Sequence, residues 1–581
     1  MIKQLKFFCF SVLIAIIASS GSLTAKTNTL EQPASGKNGM VSTQEAIASR
    51  VGVEILKQGG NAIDAAVAVG FALAVTYPRA GNLGGGGFML IYKANDKLAT
   101  AIDYREMAPK AAFRDMFLDE KGNVDNQKAR FSALSSGIPG TVAGLVYALE
   151  KYGTMNLKQA IKPALDLASD GFIVPDELYR SFKVAKARLS KISTTREIYY
   201  PDGGEPRAAG KLLKQPELAS VLQAIHDKGR AGFYNGAIAK LISEDSLNNG
   251  GIITLEDLAN YQVAERQPVQ GTYRGHNVIS MPPPSSGGIH LIQMLNVLEN
   301  WDMKASKLNT ALTVNRMVET MKRAYSDRSK HLGDPRFYDV PIAQLTDKRY
   351  AKDIFQAIEA KQVTPSDEIR PGELPVYESQ QTTHYTVMDK FGNAVANTYT
   401  LNASFGNGRV AKGTGILMNN EMDDFSSKPG VPNMFGLLGG EANAIEAGKR
   451  PLSSMSPTII VKDERPLLAT GSVGGSRIIT TVLQILVNIM DHDMDILTAT
   501  TSPRFHHQWY PDNLIMESGF NPDVLTQLRT MGYSIDAPEL LGHEATPAGT
   551  EIGYLQSVLY RDGVFTGAAD PRRPNSLAVG Y

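Results

Sequence analysis

The pattern of apolar and polar residues predicts an amphipathic helix near the start of the chain. Ile47, Val51 and Ile55 recur at the spacing of one helix face. Ser42 and Glu45, which are three residues apart, have the form of a capping box that begins this helix. Two glycines follow the last of these apolar residues, and we expect the helix to end there.

A longer apolar stretch and a run of glycines come next. Residues 62–75 are apolar on nearly every side, and because the stretch is too short to cross a bilayer it predicts a helix buried in the core. Residues 84–87 are all glycine. Without side chains, this backbone can pass close to another segment of the chain or to a ligand, and the sequence leaves both interpretations open.

The predicted secondary structure changes from helices to strands along the chain. Residues 143–361 predict mostly helices separated by glycine and proline, with the sharpest break at 282–288. Residues 382–388 and 394–401 are instead rich in β-branched and aromatic side chains, and turn-forming residues occupy 389–393. This pattern predicts a β-hairpin.

The predicted hairpin brings two threonines together. If the five residues between the strands form the loop, Met388 pairs with Ala394, and counting outward places Thr382 opposite Thr400 on the same face. Opposed residues have Cβ atoms about 4.5 to 5.5 Å apart, so that their side chains interact. A shift of the register by one residue would turn Thr382 to the other face.

The composition is that of a folded protein without net charge. The 581 residues are 43% hydrophobic, and 59 lysines and arginines balance 59 aspartates and glutamates. This balance argues against nucleic acid or an anionic membrane as a partner, since both attract positively charged proteins. Cys9 is the only cysteine, and the adjacent His506 and His507 would point apart on a strand. We therefore expect no metal site, and the two histidines are predicted to be core or hydrogen-bonding residues.

The amino terminus has the pattern of a signal peptide. Two lysines precede the apolar run 7–18, and small residues follow it. We predict a signal peptide at residues 1–25 with cleavage after Ala25, and cleavage after Ser20 is the alternative. The protein is thus expected to be exported to the periplasm or secreted, without a membrane anchor once the signal peptide has been removed.

Six motifs resemble the γ-glutamyltransferase family, also known as γ-glutamyl transpeptidase or glutathione hydrolase, in its bacterial form with a lid loop. They lie at residues 103–109, 381–385, 398–402, 419–425, 451–457 and 474–477. Their order and spacing follow those of the family over essentially the whole chain after the signal peptide, which makes the resemblance specific.

The resemblance implies the fold and the maturation of the protein. The fold would be α+β, the αββα sandwich of N-terminal-nucleophile hydrolases, with two antiparallel sheets between helical layers. The chain would be made as a zymogen in which Thr382 attacks the carbonyl of Gln381, giving a large subunit 26–381 and a small catalytic subunit 382–581 within one interlocked domain. The new α-amino group, with a reference pKa of about 7.7 to 8.0, then takes the proton of the threonine's own hydroxyl.

The resemblance also implies the reaction and its residues. Thr382 would attack the γ-amide carbonyl of glutathione or another γ-glutamyl compound, and the resulting ester would pass to water or to an amino acid or dipeptide, with no cofactor. The residues carried over are Gly474 and Gly475 for the oxyanion, Thr400 for the nucleophile, Arg105, Ser453 and Ser454 for the α-carboxylate, and Asn402, Glu421 and Asp424 for the α-ammonium group.

One residue departs from the pattern of the family. The lid is expected at about residues 428–440, and lids of this kind often carry a tyrosine whose hydroxyl closes onto the asparagine at position 402. This chain has Phe435 instead. Because phenylalanine has no hydroxyl, we expect a looser lid and a changed balance between water and amino-acid acceptors.

Two other functions remain as alternatives. A glutaryl-type cephalosporin acylase would share the fold, but a glutaryl group has no ammonium group for Glu421 and Asp424 to bind. A periplasmic binding protein would also be exported and neutral, but it would remain a single uncut chain and would give no reason for the sequence Gln381 and Thr382.

Overall fold

The chain folds into short strands and helices, and these elements pack in layers. The computed structural model describes residues 32–201, 203–369, 382–537 and 551–581. The predicted signal peptide and Gln381 lie outside the described residues.

The strands of the described residues are mostly short, as is usual in folded domains. They are β1 Ala34–Gly36, β2 Gly39–Thr43, β3 Gly86–Lys93, β4 Leu98–Tyr104, β5 Phe172–Ile173, β6 Leu212–Leu213, β7 Ala264–Arg266, β8 Val269–Tyr273, β9 His276–Ser280, β10 Thr383–Asp389, β11 Ala394–Thr400, β12 Val410–Ala411, β13 Ile416–Leu417, β14 Thr458–Lys462, β15 Arg465–Gly471, β16 Phe505–His506, β17 Leu514–Met516, β18 Ile535–Asp536, β19 Gln556–Arg561, β20 Val564–Ala569 and β21 Leu577–Gly580.

The helices lie mainly between β4 and β10, and the longest has 21 residues. They are α1 Ala46–Lys57, α2 Ala62–Thr76, α3 Asn126–Phe131, α4 Thr141–Tyr152, α5 Leu157–Ser169, α6 Asp176–Leu189, α7 Ser193–Tyr199, α8 Pro216–Lys228, α9 Ala231–Tyr234, α10 Gly236–Asn248, α11 Leu255–Asn260, α12 Gly287–Leu298, α13 Met303–Ser306, α14 Ala311–His331, α15 Ile342–Leu345, α16 Lys348–Gln356, α17 Arg477–Met490, α18 Ile496–Thr501 and α19 Pro522–Thr530. Short 3₁₀ turns lie at Ala133–Ser135, Glu421–Asp424 and Glu441–Asn443.

Two seven-stranded sheets form the centre of the fold. Sheet I has the order β1-β20-β19-β15-β14-β9-β8, and sheet II has the order β21-β2-β10-β11-β3-β4-β7. Neighbouring strands within each sheet are antiparallel. The predicted pair of antiparallel sheets is confirmed.

The sheets face each other, with helices on the two outer sides. Strands β10 and β11 of sheet II contact β15 of sheet I, helix α2 packs on β10 and β11, and α12 and α17 pack on sheet I. Successive side chains of a strand point to opposite faces. Accordingly, Val387 belongs to the core shared with α2, whereas Met388 belongs to the core between the two sheets. The αββα sandwich is therefore confirmed.

Helix α1 forms where its apolar spacing predicts it, but its predicted cap is wrong. Ser42 still belongs to strand β2, and its hydroxyl donates to the Gln556 side chain at 2.9 Å. Glu45 is itself the cap, and its carboxylate accepts from the backbone amides of Ile47 and Ala48 at 3.0 and 2.9 Å. The helix begins three residues later than a capping box at Ser42 requires, because the strand pairing continues through Thr43.

Helix α2 and the glycine run both pack against the hairpin. Every residue of α2 is buried, as predicted, and Asn61 caps the helix with a capping box to Asp64. A Cβ atom at Gly85 would lie 2.0 Å from the Thr400 carbonyl oxygen, and one at Gly84 would lie 2.2 Å from the Leu417 carbonyl oxygen. The glycines therefore serve close packing of backbone on backbone beside Thr400.

The predicted register of the hairpin is confirmed. Met388 pairs with Ala394, and the ladder continues to the pair Thr383 and Tyr399. One further step along the ladder places Thr382 opposite Thr400. Strand β3 holds the other edge of β11 and pairs Gly86 with Thr400.

The prediction that residues 143–361 are mostly helical missed five strands, of which β7, β8 and β9 belong to the two large sheets. These three strands form edges of both sheets. Val269, Tyr273, Val278 and Ile279 bury their side chains in the core on the two faces of sheet I. The three strands are only three to five residues long, so the helices around them dominate any pattern averaged over a longer window.

Candidate active site

A small pocket lies at the end of the hairpin, where sheet II meets the loops after sheet I. It brings together most of the residues singled out in the sequence. Its lining includes Thr382, Thr400, Asn402, Arg105, Glu421, Asp424, Ser453, Ser454, Gly475 and Phe435. Gly474 adjoins this lining, whereas Gln381 lies outside the described residues.

The two threonines stand side by side at the base of the pocket. Thr382 is buried and immediately precedes β10, and Thr400 is the last residue of β11. The Thr400 hydroxyl accepts a hydrogen bond from the backbone amide of Asn402 at 2.9 Å. The strand pairing fixes both backbones, so the threonines are held on a rigid element.

Asn402 presents an acceptor to the pocket. Its φ of +70° lies in the left-handed region, which asparagine tolerates better than most residues. Its side-chain amide donates to the Asn420 carbonyl at 2.9 Å. The Oδ1 atom is buried and has no hydrogen-bond donor among the described residues. A buried acceptor in this state suits a ligand that donates a hydrogen bond.

The two glycines after sheet I adopt backbone conformations that favour glycine. Gly474 and Gly475 have φ values of +123° and +57°, and Gly475 leads into helix α17 through a backbone bond from Ile478 to its carbonyl at 3.2 Å. A Cβ atom at Gly475 would lie 2.5 Å from the Phe435 ring. Both the backbone conformation and this contact favour glycine.

Arg105 is the cation at the centre of the pocket. It follows strand β4 directly, and its two terminal nitrogens donate to the carboxylates of Glu421 and Asp424. Its Nε donates to the Pro451 carbonyl at 3.3 Å. Burial alone would lower the pKa of Arg105, but the Glu421 and Asp424 carboxylates outweigh this effect and raise it. The guanidinium is therefore permanently charged.

Glu106 is a neighbour of this cluster that sequence reasoning missed. Its carboxyl group is fully buried against that of Glu421, and neither of its oxygens has a hydrogen-bond donor among the described groups. Two carboxyl groups form a hydrogen bond only when one of them is protonated. Burial raises the pKa of Glu106 to about 7 and raises that of Glu421 well above its usual range. The pair thus holds a proton near neutral pH.

The two serines come from a loop that is tied to the break at 282–288. The Ser453 amide donates to the Pro284 carbonyl at 2.8 Å, and the Ser286 hydroxyl donates to the Ser453 carbonyl at 2.9 Å. The Ser454 hydroxyl accepts from Arg328 at 3.3 Å. The predicted break in the helices at 282–288 therefore holds the loop that carries the two serines into the pocket.

Arg328 is a second pocket residue that the motifs did not reveal. It lies on helix α14 and is 4% exposed. Met317, Met321 and Ala324 precede it at helical spacing and are buried on the same face. An arginine at the end of an apolar stripe is the signal that was available in the sequence, since such a position is normally apolar.

The segment predicted as a lid, residues 428–440, packs Phe435 into the pocket. The Phe435 amide donates to the Asn433 side chain at 2.9 Å, and the Asn433 amide group donates to Asp424 at 3.2 Å. Gln508 donates to the carbonyl of Gly436 at 3.3 Å. The lid is thus anchored on both sides of the pocket, and its aromatic ring contributes packing without a hydroxyl.

His506 and His507 are hydrogen-bonded core residues, as predicted. His506 contacts the Thr480 hydroxyl at 2.8 Å and Gln508 at 3.0 Å, and His507 lies 3.2 Å from Asp512. Within the described ranges, no group of three or more potential metal-ligating side chains occurs. None of the helices in these ranges has the length and apolar character needed to cross a membrane.

Comparison with known proteins places this geometry in a family. Residues 48–580 match the sequence profile of the gamma-glutamyltranspeptidase family. The chain belongs to the gamma-glutamyltranspeptidase family. The match includes every strand of the two sheets except β1 and β2, and every motif that surrounds the pocket.

Individual relatives agree with this membership. The chain is 53% identical to the glutathione hydrolase proenzyme of Escherichia coli (strain K12), covering 99% of this chain and 97% of the relative. The structure of Helicobacter pylori gamma-glutamyltranspeptidase matches with 47% identity and a TM-score of 0.55, covering 57% of this chain and 95% of that chain. A cephalosporin acylase from Bacillus halodurans shares the fold with a TM-score of 0.84 but only 25% identity, covering 96% and 98% of the two chains. By sequence, the acylase is more distant from this chain than the glutathione hydrolase and the gamma-glutamyltranspeptidase described above.

Proposed function

We propose that this protein is a γ-glutamyltransferase and glutathione hydrolase that activates itself by cleavage between Gln381 and Thr382. The observation that carries the proposal is the position of Arg105, Glu421 and Asp424 around the pocket that contains Thr382. A cation and two carboxylates beside a nucleophile suit an amino-acid head, which carries a carboxylate and an ammonium group on one carbon.

Maturation begins in the uncut chain. The Thr382 hydroxyl attacks the Gln381 carbonyl, and water cleaves the resulting ester, which leaves a large subunit 26–381 and a small subunit 382–581. The new α-amino group of Thr382 serves as its own base near neutral pH. Thr400, opposite it across the hairpin, hydrogen-bonds the nucleophile during both cleavage and catalysis.

Substrate binding opens the ion pairs of Arg105. The α-carboxylate of the donor replaces Glu421 and Asp424 on the guanidinium, with further hydrogen bonds from Ser453 and Ser454. The two released carboxylates, together with the buried Oδ1 atom of Asn402, then accept hydrogen bonds from the α-ammonium group. Each charge therefore exchanges one partner for another, and none is left buried and unpaired. Breaking a buried ion pair without such a replacement would cost about 3 to 5 kcal/mol.

The chemistry is acyl transfer in two steps. Thr382 attacks the γ-amide carbonyl, and the backbone amides of Gly474 and Gly475 stabilise the oxyanion. Cysteinylglycine leaves when glutathione is the donor. Water, an amino acid or a dipeptide then accepts the γ-glutamyl group from the Thr382 ester. Loss of one oxyanion donor typically lowers the rate by about 10² to 10³.

The site favours this reaction over that of a glutaryl acylase. A glutaryl group would offer a carboxylate to Arg105 but no cation to Glu421 and Asp424, so these carboxylates would remain buried without a partner. The amino terminus supports export to the periplasm, where glutathione and small peptides would be the substrates.

Three p-nitroanilides that differ only at the head group test the proposal. They are the γ-glutamyl, the glutaryl and the 4-aminobutyryl compounds, of which the second lacks the ammonium group and the third lacks the carboxylate. We expect kcat/KM to be highest for the γ-glutamyl compound, by about 10² or more over each of the others. Equal or faster cleavage of the glutaryl compound would instead assign the protein as an acylase.

A further inference from the structure

Arg328 is a buried cation whose hydrogen-bond partners among the described side chains are neutral. Its Nε donates to the Ser286 hydroxyl at 3.0 Å, and Nη2 donates to the Ser454 hydroxyl at 3.3 Å. Among the described residues, the nearby carboxylates Glu421 and Asp424 pair with Arg105 and not with Arg328. Burial lowers the pKa of Arg328 to about 10, so it remains charged near neutral pH.

A buried charge is stable only when a counter-charge or strong hydrogen bonds compensate its loss of water. Two hydroxyl groups and the more distant Asp424 carboxylate provide part of this compensation. The guanidinium also lines the pocket, where a ligand can reach it. An anion bound at this point would therefore complete the compensation.

A substrate carboxylate that is bound by Arg105 alone would keep free hydrogen-bond acceptor sites. All three nitrogens of Arg105 already donate to protein acceptors, and the substrate must displace two of these contacts. A carboxylate has two oxygens and about four acceptor sites, which is room for more than one guanidinium. Ser454, which Arg328 contacts, already belongs to the proposed carboxylate end of the pocket.

We propose that Arg328, together with the Ser454 hydroxyl, binds the α-carboxylate of the γ-glutamyl donor and selects substrates that carry this group. The inference rests on the proposed function and adds a second cation to its binding site. Arg328 is thus a specificity-determining residue contributed by helix α14, far in sequence from the motifs around Thr382.

The test combines Arg328→Gln with two substrates that differ by one carboxylate. For γ-glutamyl-p-nitroanilide, we expect KM to rise by about 10- to 100-fold with little change in kcat, because a charge-assisted hydrogen bond made before the chemical step is lost. For 4-aminobutyryl-p-nitroanilide, kcat/KM should change by less than about threefold. Arg328→Lys keeps the charge and should recover part of the loss.

Controls separate this role from a structural one. Lys330→Gln lies two positions away on α14 at an exposed site and should leave both substrates unaffected. The appearance of the two subunits on a denaturing gel reports correct folding of each variant. An equal loss with both substrates, or an unchanged KM for the γ-glutamyl compound in an active enzyme, would overturn the role of Arg328. A wild-type protein that does not cleave the γ-glutamyl compound would instead overturn the proposed function.

Discussion

Glu106 and Glu421 make the charge of the pocket depend on pH. Their buried carboxyl groups lie together, beside the Arg105 guanidinium and the Asp424 carboxylate. Burial raises the pKa of Glu106 to about 7, so below that pH the pair keeps its proton. Above it Glu106 loses its proton, which adds a negative charge beside Glu421 and the proposed site of the substrate ammonium group.

The affinity for an amino-acid head is therefore expected to increase as the pH rises from 6 to 8. Competitive inhibition by L-glutamate measures this affinity, and the inhibition constant should fall by about tenfold over the interval, as one added charge at short range predicts. Glu106→Gln cannot ionise and should flatten the profile. An inhibition constant that falls equally in the wild type and in this variant would contradict the assignment to Glu106 and Glu421.

Phe435 lies in the predicted lid, and we expect it to affect how that segment closes over the site. Its ring borders the same pocket as the buried acceptor Oδ1 of Asn402, which has no donor among the described residues. Phe435→Tyr would supply a hydroxyl for this acceptor. We expect the ratio of hydrolysis to transfer to fall by about two- to fivefold, because a closed lid keeps water from the ester. Parallel assays with and without glycylglycine measure the ratio, and an unchanged value would refute this account of the lid.

At the scale of elements, the glycine run packs against the hairpin that carries the proposed nucleophile. Gly85→Ala would place a Cβ atom 2.0 Å from the Thr400 carbonyl oxygen and 2.8 Å from the Asn82 side chain. The strands would have to separate, which typically costs about 1 to 3 kcal/mol. Autocleavage should consequently slow or stop, which a time course on denaturing gels would measure.

A matched substitution distinguishes this effect from a general sensitivity to glycine replacement. Gly122 has a φ of +74° and open space around it, and asparagine tolerates this conformation. Gly122→Asn should therefore cleave at the normal rate. If Gly85→Ala also cleaved normally, close packing beside Thr400 would not be needed to hold the nucleophile.

Local patterns predicted the elements whose causes are local. The hairpin register followed from a turn cluster between two β-rich runs, and helix α2 followed from its continuous apolar stretch. Strands β7 to β9 were missed because three to five residues at a sheet edge are stabilised by partners distant in sequence. The capping box at Ser42 was wrong for the same reason, since pairing of β2 within sheet II keeps that residue in a strand.

The active-site residues also fall into those that the sequence predicted and those that it did not. The motifs predicted the residues around the pocket, which the fold brings together. They did not reveal Arg328 or the pairing of Glu106 with Glu421, because each depends on contacts between segments that are far apart in the chain. An arginine on an apolar helix face is visible in the sequence, but its partner is not.

At the scale of the whole molecule, the two predicted subunits share both sheets. Strand β2 of the large subunit lies between β21 and β10 of the small one, and β14 of the small subunit pairs with β9 of the large one. The subunits should remain associated after cleavage, since separation would expose the core and break continuous ladders. Size-exclusion chromatography should give one species that resolves into two chains only in denaturant. Separate elution under native conditions would contradict this arrangement.

Self-cleavage by Thr382 is the central claim, and the intact mass and amino-terminal sequence of the purified protein test it most directly. We predict two chains, with the smaller one beginning Thr382, Thr383 and His384, and a single uncut chain for Thr382→Ala. Thr382→Ser keeps a hydroxyl and should still be cleaved. A wild-type protein that remains one chain, or one cut at another position, would contradict the assignment of Thr382 as the nucleophile.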